Sequence, residues 1–190
     1  MKTILVLGAN SDIAQATVKE FAKNDFQFIL SARDTDKLNG FAKELKEGSV
    51  LDVLHFDAMG FDKHAEFYQS LKTKPDIVLS CFGYASDPRK AKADFNEARK
   101  DIDINLTANI SILEKVVADM EERKEGTIIV ISSVAGDRGK KRAYFYDTAK
   151  AGLNAYLSGM RQRLVSKNVH VITVKPGFVY TKMTEQMKLP

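Results

Sequence analysis

The residues of this sequence best placed to do chemistry are a tyrosine and a lysine four positions apart, preceded by a serine. Tyr146 and Lys150 stand at the start of a predicted helix, where residues four apart lie on one face. A cation beside a phenol stabilises the phenolate and lowers its pKa. Such a tyrosine can exchange a proton with a carbonyl or carbinol oxygen near neutral pH. Ser133, thirteen residues before Tyr146, supplies a hydroxyl that can hold the same oxygen.

The Tyr-x-x-x-Lys spacing alone is also compatible with a tyrosine packed at a helix start and a solvated lysine. Its context favours the catalytic interpretation. The motif follows the apolar run 127–132, which is typical of a buried strand, and the chain opens with a turn of the kind that binds nucleotides.

Short apolar runs alternate with helical patterns along the whole chain. We predict strands at 3–7, 27–31, 51–56, 76–81, 127–132 and 169–174, and helices at 12–24, 35–46, 62–72, 91–123 and 146–167. This alternation indicates right-handed β-α-β units. Continuous apolar strands are typical of a parallel sheet covered on both faces. The expected fold is therefore α/β, a doubly wound, Rossmann-type parallel sheet in three α/β/α layers, with residues 1–190 forming one domain.

The turn after the first strand is suited to a dinucleotide. Its sequence is Gly8-Ala9-Asn10-Ser11-Asp12-Ile13-Ala14. Gly8 permits a tight turn, and the small residues after it let the backbone approach a pyrophosphate at the N-terminus of the next helix. The alternative is that Ser11 or Asp12 only caps that helix.

The end of the second strand bears on the choice of cofactor. An acidic residue there would bind the adenosine ribose hydroxyls, but this chain has Ala32 followed by Arg33. An arginine can pair with a 2′-phosphate, so we predict NADP rather than NAD. The alternative is that Arg33 is solvated and Asp34 binds the ribose.

Composition argues against several other classes of function. With 44% apolar residues among 190, the chain can build one sizeable core. It has no apolar run of about 18 residues, as a membrane span requires, and no signal peptide is predicted. Cys81 is the only cysteine, which favours a cytoplasmic location. The three histidines lack ligand spacing, so no metal site is expected, and a net charge of +4 does not indicate nucleic-acid binding.

Taken in order, these motifs resemble the short-chain dehydrogenase/reductase family over essentially the whole chain. Residues 8–14 are similar to the family's G-x-x-x-G-x-G, and Ser133, Tyr146 and Lys150 match its catalytic positions. Asn105 matches a helix asparagine that helps to hold a proton-relay water. Together with the turn and the second strand, the resemblance implies cofactor contacts from Gly8, Asn10, Ser11, Asp12, Ile13, Arg33, Asp57, Phe82, Gly83, Tyr146, Lys150, Pro176, Gly177, Val179 and Thr181.

The chain departs from the family pattern at several points. Asp12 replaces a glycine and puts a carboxylate near the pyrophosphate turn, which is unfavourable unless it caps the helix or points away. Ser80-Cys81-Phe82-Gly83 stands where Asn-Asn-Ala-Gly is usual, which should alter packing beside the cofactor. The family pattern continues with a substrate-covering helix and a final strand, whereas this sequence stops at Pro190. Without those elements the run 169–174 would be an exposed sheet edge, so we expect either that the sequence is truncated or that a partner supplies this edge.

One subgroup is more similar than the rest. Residues 131–146 and the pair Phe82-Gly83 resemble reductases that act on a 2-keto-pentofuranosyl lipid phosphate, in the epimerisation of decaprenylphospho-ribose to the arabinose form. The basic residues of that segment are Arg138, Lys140, Lys141 and Arg142. They can hold a substrate phosphate, or they can form a solvated loop.

The sequence thus predicts an NADP(H)-dependent oxidoreductase. Hydride passes between the nicotinamide and a carbonyl or secondary alcohol, with Tyr146 as general acid and base. The substrate is a small molecule, which the subgroup suggests is sugar-like or phosphorylated, and a homo-oligomer is expected from the resemblance. The alternative is a non-catalytic NADP-binding sensor or scaffold, which the altered glycine turn favours and the full catalytic set disfavours.

Overall fold

A six-stranded, wholly parallel sheet forms the centre of the computed structural model, which describes residues 1–182 and 184–185. The spatial order of the strands is β3-β2-β1-β4-β5-β6. Their bounds are β1 (Lys2–Leu7), β2 (Phe26–Ala32), β3 (Val50–His55), β4 (Ile77–Ser80), β5 (Gly126–Ile131) and β6 (Val169–Val174). The order reverses between β1 and β4, so a crevice opens beyond the carboxyl ends of these two strands. The predicted α/β fold is confirmed.

Helices connect the strands and cover both faces of the sheet. They are α1 (Asp12–Phe21), α2 (Thr35–Ala42), α3 (His64–Gln69), α4 (Pro88–Ala93), α5 (Phe95–Ile102), α6 (Ala108–Arg123) and α7 (Tyr144–Leu164). A π-helical segment, Asp103–Thr107, joins α5 to α6, and 3₁₀ turns occur at Phe61–Lys63, Val134–Asp137 and Val165–Lys167.

The long helix predicted at 91–123 is in fact interrupted. Asp94 has an extended backbone, and its side chain accepts a hydrogen bond from the Asn96 amide at 2.9 Å. A capping side chain of this kind starts a new helix, so α4 ends and α5 begins at this residue. The helix predicted to start at Tyr146 begins two residues earlier, at Tyr144.

Successive residues of β1 enter opposite halves of the core, as the period of a strand requires. Ile4 and Val6 pack under α1 and α2, while Leu5 and Leu7 face α6 and α7. All four are fully buried, so the centre of the sheet is anchored on both faces. In the described residues β6 is an edge strand, and 46% of the surface of Ile172 is exposed. This agrees with the edge expected for the run 169–174.

Candidate active site

A tight turn at the end of β1 forms the floor of the crevice. Gly8 has φ +81°, in the region that favours glycine. A Cβ at this position would lie 2.7 Å from the Phe82 backbone nitrogen, just past β4. The two central strands can therefore approach each other this closely only because residue 8 has no side chain.

The start of α1 presents hydrogen-bond donors to this crevice. The first amides of a helix have no partner within it, and the side chain of the N-cap residue, Ser11, makes no capping bond. Asn10 donates from Nδ2 to the Asp34 carbonyl at 2.7 Å. Its Oδ1 is buried without a partner among the described residues. These donors and the positive end of the helix dipole fit the phosphates of a dinucleotide.

Two charged residues follow β2, and only the first faces the crevice. Arg33 is exposed and lines it. Asp34 is not among the lining residues, because its carboxylate caps α2 by accepting the Lys37 amide at 3.0 Å. The carboxylate that was the alternative ribose ligand is thus engaged elsewhere.

Ser133 and Lys150 are brought together by close packing between a turn and a helix. Ser133 follows β5, and its Oγ accepts the Ala135 amide at 3.0 Å, which caps the 3₁₀ turn Val134–Asp137. A Cβ on Gly136 in this turn would lie 2.7 Å from the carbonyl carbon of Lys150. The turn and α7 therefore meet backbone to backbone, and this fixes the serine relative to the lysine.

Lys150 is a buried cation directed at the end of β5. It is 3% exposed, and its Nζ donates to the Ile131 carbonyl at 3.2 Å. The same nitrogen lies 5.6 Å from the centre of the Tyr146 ring. Burial lowers the pKa of Lys150 to about 8. The charged form is therefore costly here, and the protonated and neutral forms are close in free energy near neutral pH.

The acid–base state of Tyr146 differs from the sequence-based expectation. Burial raises the pKa of the Tyr146 phenol, and the nearby Ser133 hydroxyl acts in the opposite direction. In the present arrangement the Lys150 ammonium bonds to the Ile131 carbonyl, and burial outweighs the effects that would lower the phenol pKa. The phenol is consequently protonated at neutral pH and can act as a proton donor.

Asn105 is fully buried in the π-helical segment beside the crevice. Its amide nitrogen donates to the Tyr84 carbonyl at 2.7 Å, and its Oδ1 accepts the Tyr84 amide at 3.2 Å. The Asn105 backbone carbonyl accepts from the side chain of Asn109 at 3.0 Å. Asn105 thus ties the loop after β4 to the helix that covers it.

The crevice encloses a cavity of about 400 Å³. Of the residues singled out in the sequence, those that line it are Gly8, Asn10, Ser11, Asp12, Ile13, Arg33, Phe82, Gly83, Asn105, Ser133, Tyr146, Lys150, Pro176, Gly177, Val179 and Thr181. Asp57 is not among them. Its carboxylate accepts the Met59 amide at 3.0 Å, and its carbonyl accepts from His64 at 3.1 Å.

Five further residues line the cavity without having been predicted as cofactor contacts, namely Cys81, Ile131, Ser132, Lys182 and Thr184. The first three lie within predicted strands, and Lys182 directly follows Thr181. Their position at the carboxyl ends of central strands, or just after Thr181, was the signal that could have identified them. Burial raises the pKa of the Cys81 thiol to about 12, so it is an inert part of the wall.

A second cavity, of about 770 Å³, opens beside the first. Its walls are largely apolar and include Val134, Tyr144, Phe145 and Phe178. Four cationic residues also line it, namely Lys92, Lys140, Lys141 and Arg142. Ser133 and Tyr146 line both cavities. A ligand in either cavity can therefore reach the serine hydroxyl and the phenol.

Comparison with known proteins agrees with this geometry. The family model for short chain dehydrogenases matches residues 2–189. The chain belongs to this family. It is 30% identical to an uncharacterised oxidoreductase of Mycobacterium tuberculosis, over 97% of this chain and 76% of that protein. It is also 28% identical to the 3-oxoacyl-[acyl-carrier-protein] reductase of Rickettsia conorii, over 98% of this chain and 76% of that one.

Two solved structures share the fold of this chain. An oxidoreductase from Burkholderia thailandensis superposes with a TM-score of 0.85 at 28% identity, covering 97% of this chain and 71% of that one. A 4-hydroxyisoleucine dehydrogenase mutant in complex with NADH and succinate gives a TM-score of 0.89 at 26% identity, covering 98% and 77% of the two chains. The chain is an oxidoreductase of the short-chain dehydrogenase/reductase type.

Residues 1–182 and 184–185 contain neither a cluster of metal ligands nor a membrane-crossing helix. This part of the chain holds no group of three or more histidine, cysteine, aspartate and glutamate side chains able to bind a metal ion. It also has no helix whose length and hydropathy would let it cross a bilayer.

Proposed function

We propose that the chain is an NADP(H)-dependent carbonyl reductase or alcohol dehydrogenase in which Tyr146 is the general acid and base. One observation carries this proposal. Ser133 and Tyr146 line both cavities, next to buried Lys150. A carbonyl oxygen held there can accept a hydrogen bond from each hydroxyl while its carbon faces the cofactor cleft.

The chain's own residues supply the proton and the positioning. A bound nicotinamide would supply or accept the hydride. In reduction, Tyr146 gives its phenolic proton to the oxygen as that oxygen gains charge, and Ser133 holds the oxygen in place. Because the pKa of Tyr146 is raised, the phenol is protonated and can donate the proton that this step requires. Lys150, when charged, stabilises the phenolate left behind, and Asn105 supports the water path that returns the proton.

The preference for NADP depends on the end of β2. Among solved structures with this fold, one holds NADH and two hold NADPH or NADP+, so these structures do not decide between the two cofactors. In this chain Arg33 lines the cleft, while the neighbouring carboxylate caps α2. A guanidinium without a competing carboxylate favours a 2′-phosphate. Asp57 stays a proposed cofactor contact, although it does not line the cavity.

Tyr146→Phe tests the catalytic part of the proposal. The variant should bind NADPH as the wild type does while turnover of a ketone falls about a hundredfold or more. Tyr156→Phe is the matched control, because Tyr156 also lies on α7 but bonds to Glu114, outside both cavities. Near-normal turnover by Tyr146→Phe would show that another group moves the proton. Cofactor binding without turnover of any ketone by the wild type would support the sensor or scaffold instead.

For the substrate, we favour a ketone that carries an anionic group, of which a keto-sugar lipid phosphate is one example. The walls of the second cavity are largely apolar, and four exposed cations also line it, namely Lys92, Lys140, Lys141 and Arg142. Among the described residues these four cations form no ion pair, whereas Lys175 nearby pairs with Asp137 at 2.7 Å. An anionic tail at the mouth would neutralise them.

Kinetics with two ketones of equal size, one neutral and one phosphorylated, test this substrate class. Replacing both Lys141 and Arg142 by alanine should raise KM for the phosphorylated ketone about tenfold or more and leave KM for the neutral one nearly unchanged. Replacing Lys43 and Lys72, which are exposed and outside both cavities, is the control for net charge. Equal effects on both ketones would refute an anion site at the mouth.

We also expect a homo-oligomer, as the resemblance implies. The face that would pair includes α6 and α7, which are joined by an ion pair between Arg163 and Glu114 at 2.9 Å. Light scattering during size-exclusion chromatography would give the mass directly, and a mass of 21.2 kDa would identify a monomer.

A further inference from the structure

Asp12 occupies the end of the cofactor cleft where phosphates would lie. It is the first residue of α1, and it lines the cleft. Its Oδ2 accepts a hydrogen bond from the Lys182 backbone amide at 2.9 Å. The carboxylate therefore joins the start of α1 to a segment 170 residues later in the chain, and both line the same cavity.

The groups around Asp12 are those that would bind a phosphate. The free amides of the first turn and the helix dipole favour an anion at this point. Lys182 adds a donor amide and an ammonium 4.0 Å from the other carboxylate oxygen. Lys37 on α2 adds a second cation, and the neighbouring Lys182 ammonium lowers the pKa of Lys37. Positive charge is crowded here, and Asp12 supplies a counter-anion.

We propose that Asp12 is a built-in competitor of the cofactor phosphates, which holds residues 181–182 across the cleft until a dinucleotide displaces it. This rests on the proposed function, because it takes the cleft to be the dinucleotide site. We call residues 181–182 the strap. The strap is itself ordered by Thr184, whose Oγ1 accepts the Thr181 amide at 3.0 Å and donates to the Val179 carbonyl at 2.6 Å. After displacement, the Lys182 amide and ammonium are free to bind the incoming phosphate.

The first test is cofactor affinity after the charge is removed. Asp12→Asn keeps the shape and an acceptor oxygen but removes the charge that a phosphate must meet. We expect NADPH to bind about three- to tenfold more tightly than to the wild type, as for one unit charge several ångströms away in a mostly aqueous cleft. The gain should shrink at high salt. Asp36→Asn is the matched control. It makes the same change of charge, but Asp36 lies on α2 and does not line the cleft.

The second test needs no cofactor. Trypsin cleavage after Lys182, followed by mass spectrometry, reports how firmly the strap is held, with cleavage after exposed Lys46 as the internal reference. Asp12→Ala removes the acceptor, so cleavage after Lys182 should be at least about threefold faster than in the wild type, as loss of one hydrogen bond to a carboxylate predicts.

The outcomes separate this proposal from the proposed function. Tighter NADPH binding by Asp12→Asn, or binding by that variant alone, supports both. Unchanged or weaker binding by Asp12→Asn overturns the competitor role and leaves the oxidoreductase intact. If neither chain binds NADPH or NADH, the proposed cofactor role fails. Proteolysis then tests the hold of Asp12 on the strap by itself. Equal rates of cleavage after Lys182 in Asp12→Ala and in the wild type would refute that hold as well.

Discussion

Lys150→Met offers a direct test of the electrostatics at the centre of the site. The side chain is 3% exposed, and its single hydrogen bond among the described residues goes to the Ile131 carbonyl. Burial lowers the pKa of Lys150 from 10.5 to about 8. A lysine whose pKa is lower in the folded state binds fewer protons there than in the unfolded chain between these two values. Stability must therefore rise with pH through this window.

The size of the effect follows from the two pKa values. At pH 8 the folded lysine is about half protonated and the unfolded one almost fully. From pH 8 to pH 9 the free energy of unfolding should gain about 1 kcal/mol from this residue, and across the whole window about 3 kcal/mol. Lys150→Met replaces the ammonium by an apolar group of similar length. It should abolish this contribution and be more stable than the wild type at pH 7.

Urea unfolding at half-unit steps from pH 7 to pH 9.5 measures the effect. The relevant quantity is the difference in free energy of unfolding between wild type and variant, because the contributions of the other titrating groups cancel in it. Lys115→Met, on the exposed side of α6, should show the same pH slope as the wild type. A wild type and Lys150→Met with equal slopes would refute the assignment of a buried, destabilised ammonium to Lys150.

Two further predictions concern the cofactor cleft. Gly8→Ala should lower the free energy of unfolding by about 2–4 kcal/mol, because φ is +81° and the new Cβ would lie 2.7 Å from the Phe82 nitrogen. Gly40→Ala, in α2 with nothing within 4 Å of the added Cβ, should instead raise it by about 0.5–1 kcal/mol. Urea denaturation distinguishes them, and a neutral Gly8→Ala would contradict the close approach. Arg33→Ala should weaken NADPH binding about tenfold or more and NADH binding little. Equal weakening in paired fluorescence titrations would show that Arg33 does not contact the 2′-phosphate.

The doubly wound parallel sheet and the grouping of most motifs at one of its edges followed from pattern alone. Continuous apolar runs separated by helical stretches leave few arrangements other than a doubly wound parallel sheet. The ends of its central strands must then meet at one edge, which is why Gly8, Ser133 and the Tyr146 helix gather there. The same logic identifies Phe82 as a neighbour of the glycine turn.

What the sequence could not predict depends on contacts between distant residues. The Tyr-x-x-x-Lys spacing indicates that the phenol and ammonium share a helix face, but not that the ammonium would bond to the Ile131 carbonyl. The phenol pKa was therefore expected in the wrong direction. The interruption at Asp94 depended on a capping bond that apolar periodicity does not register. Lys182 approaches Asp12 only after the chain has folded.

The π-helical segment at Asp103–Thr107 has a consequence for how this part of the chain tolerates insertions and deletions. A wide turn of this kind contains one residue more than an α-helical turn needs. Removing one residue would let α5 and α6 merge into a continuous α-helix, but everything upstream would rotate by about 100°. Asp101, which bonds to Ser86 in the wall of the second cavity, would leave that wall. At positions other than the buried Asn105, the segment should therefore accept substitutions far more readily than any change in its length.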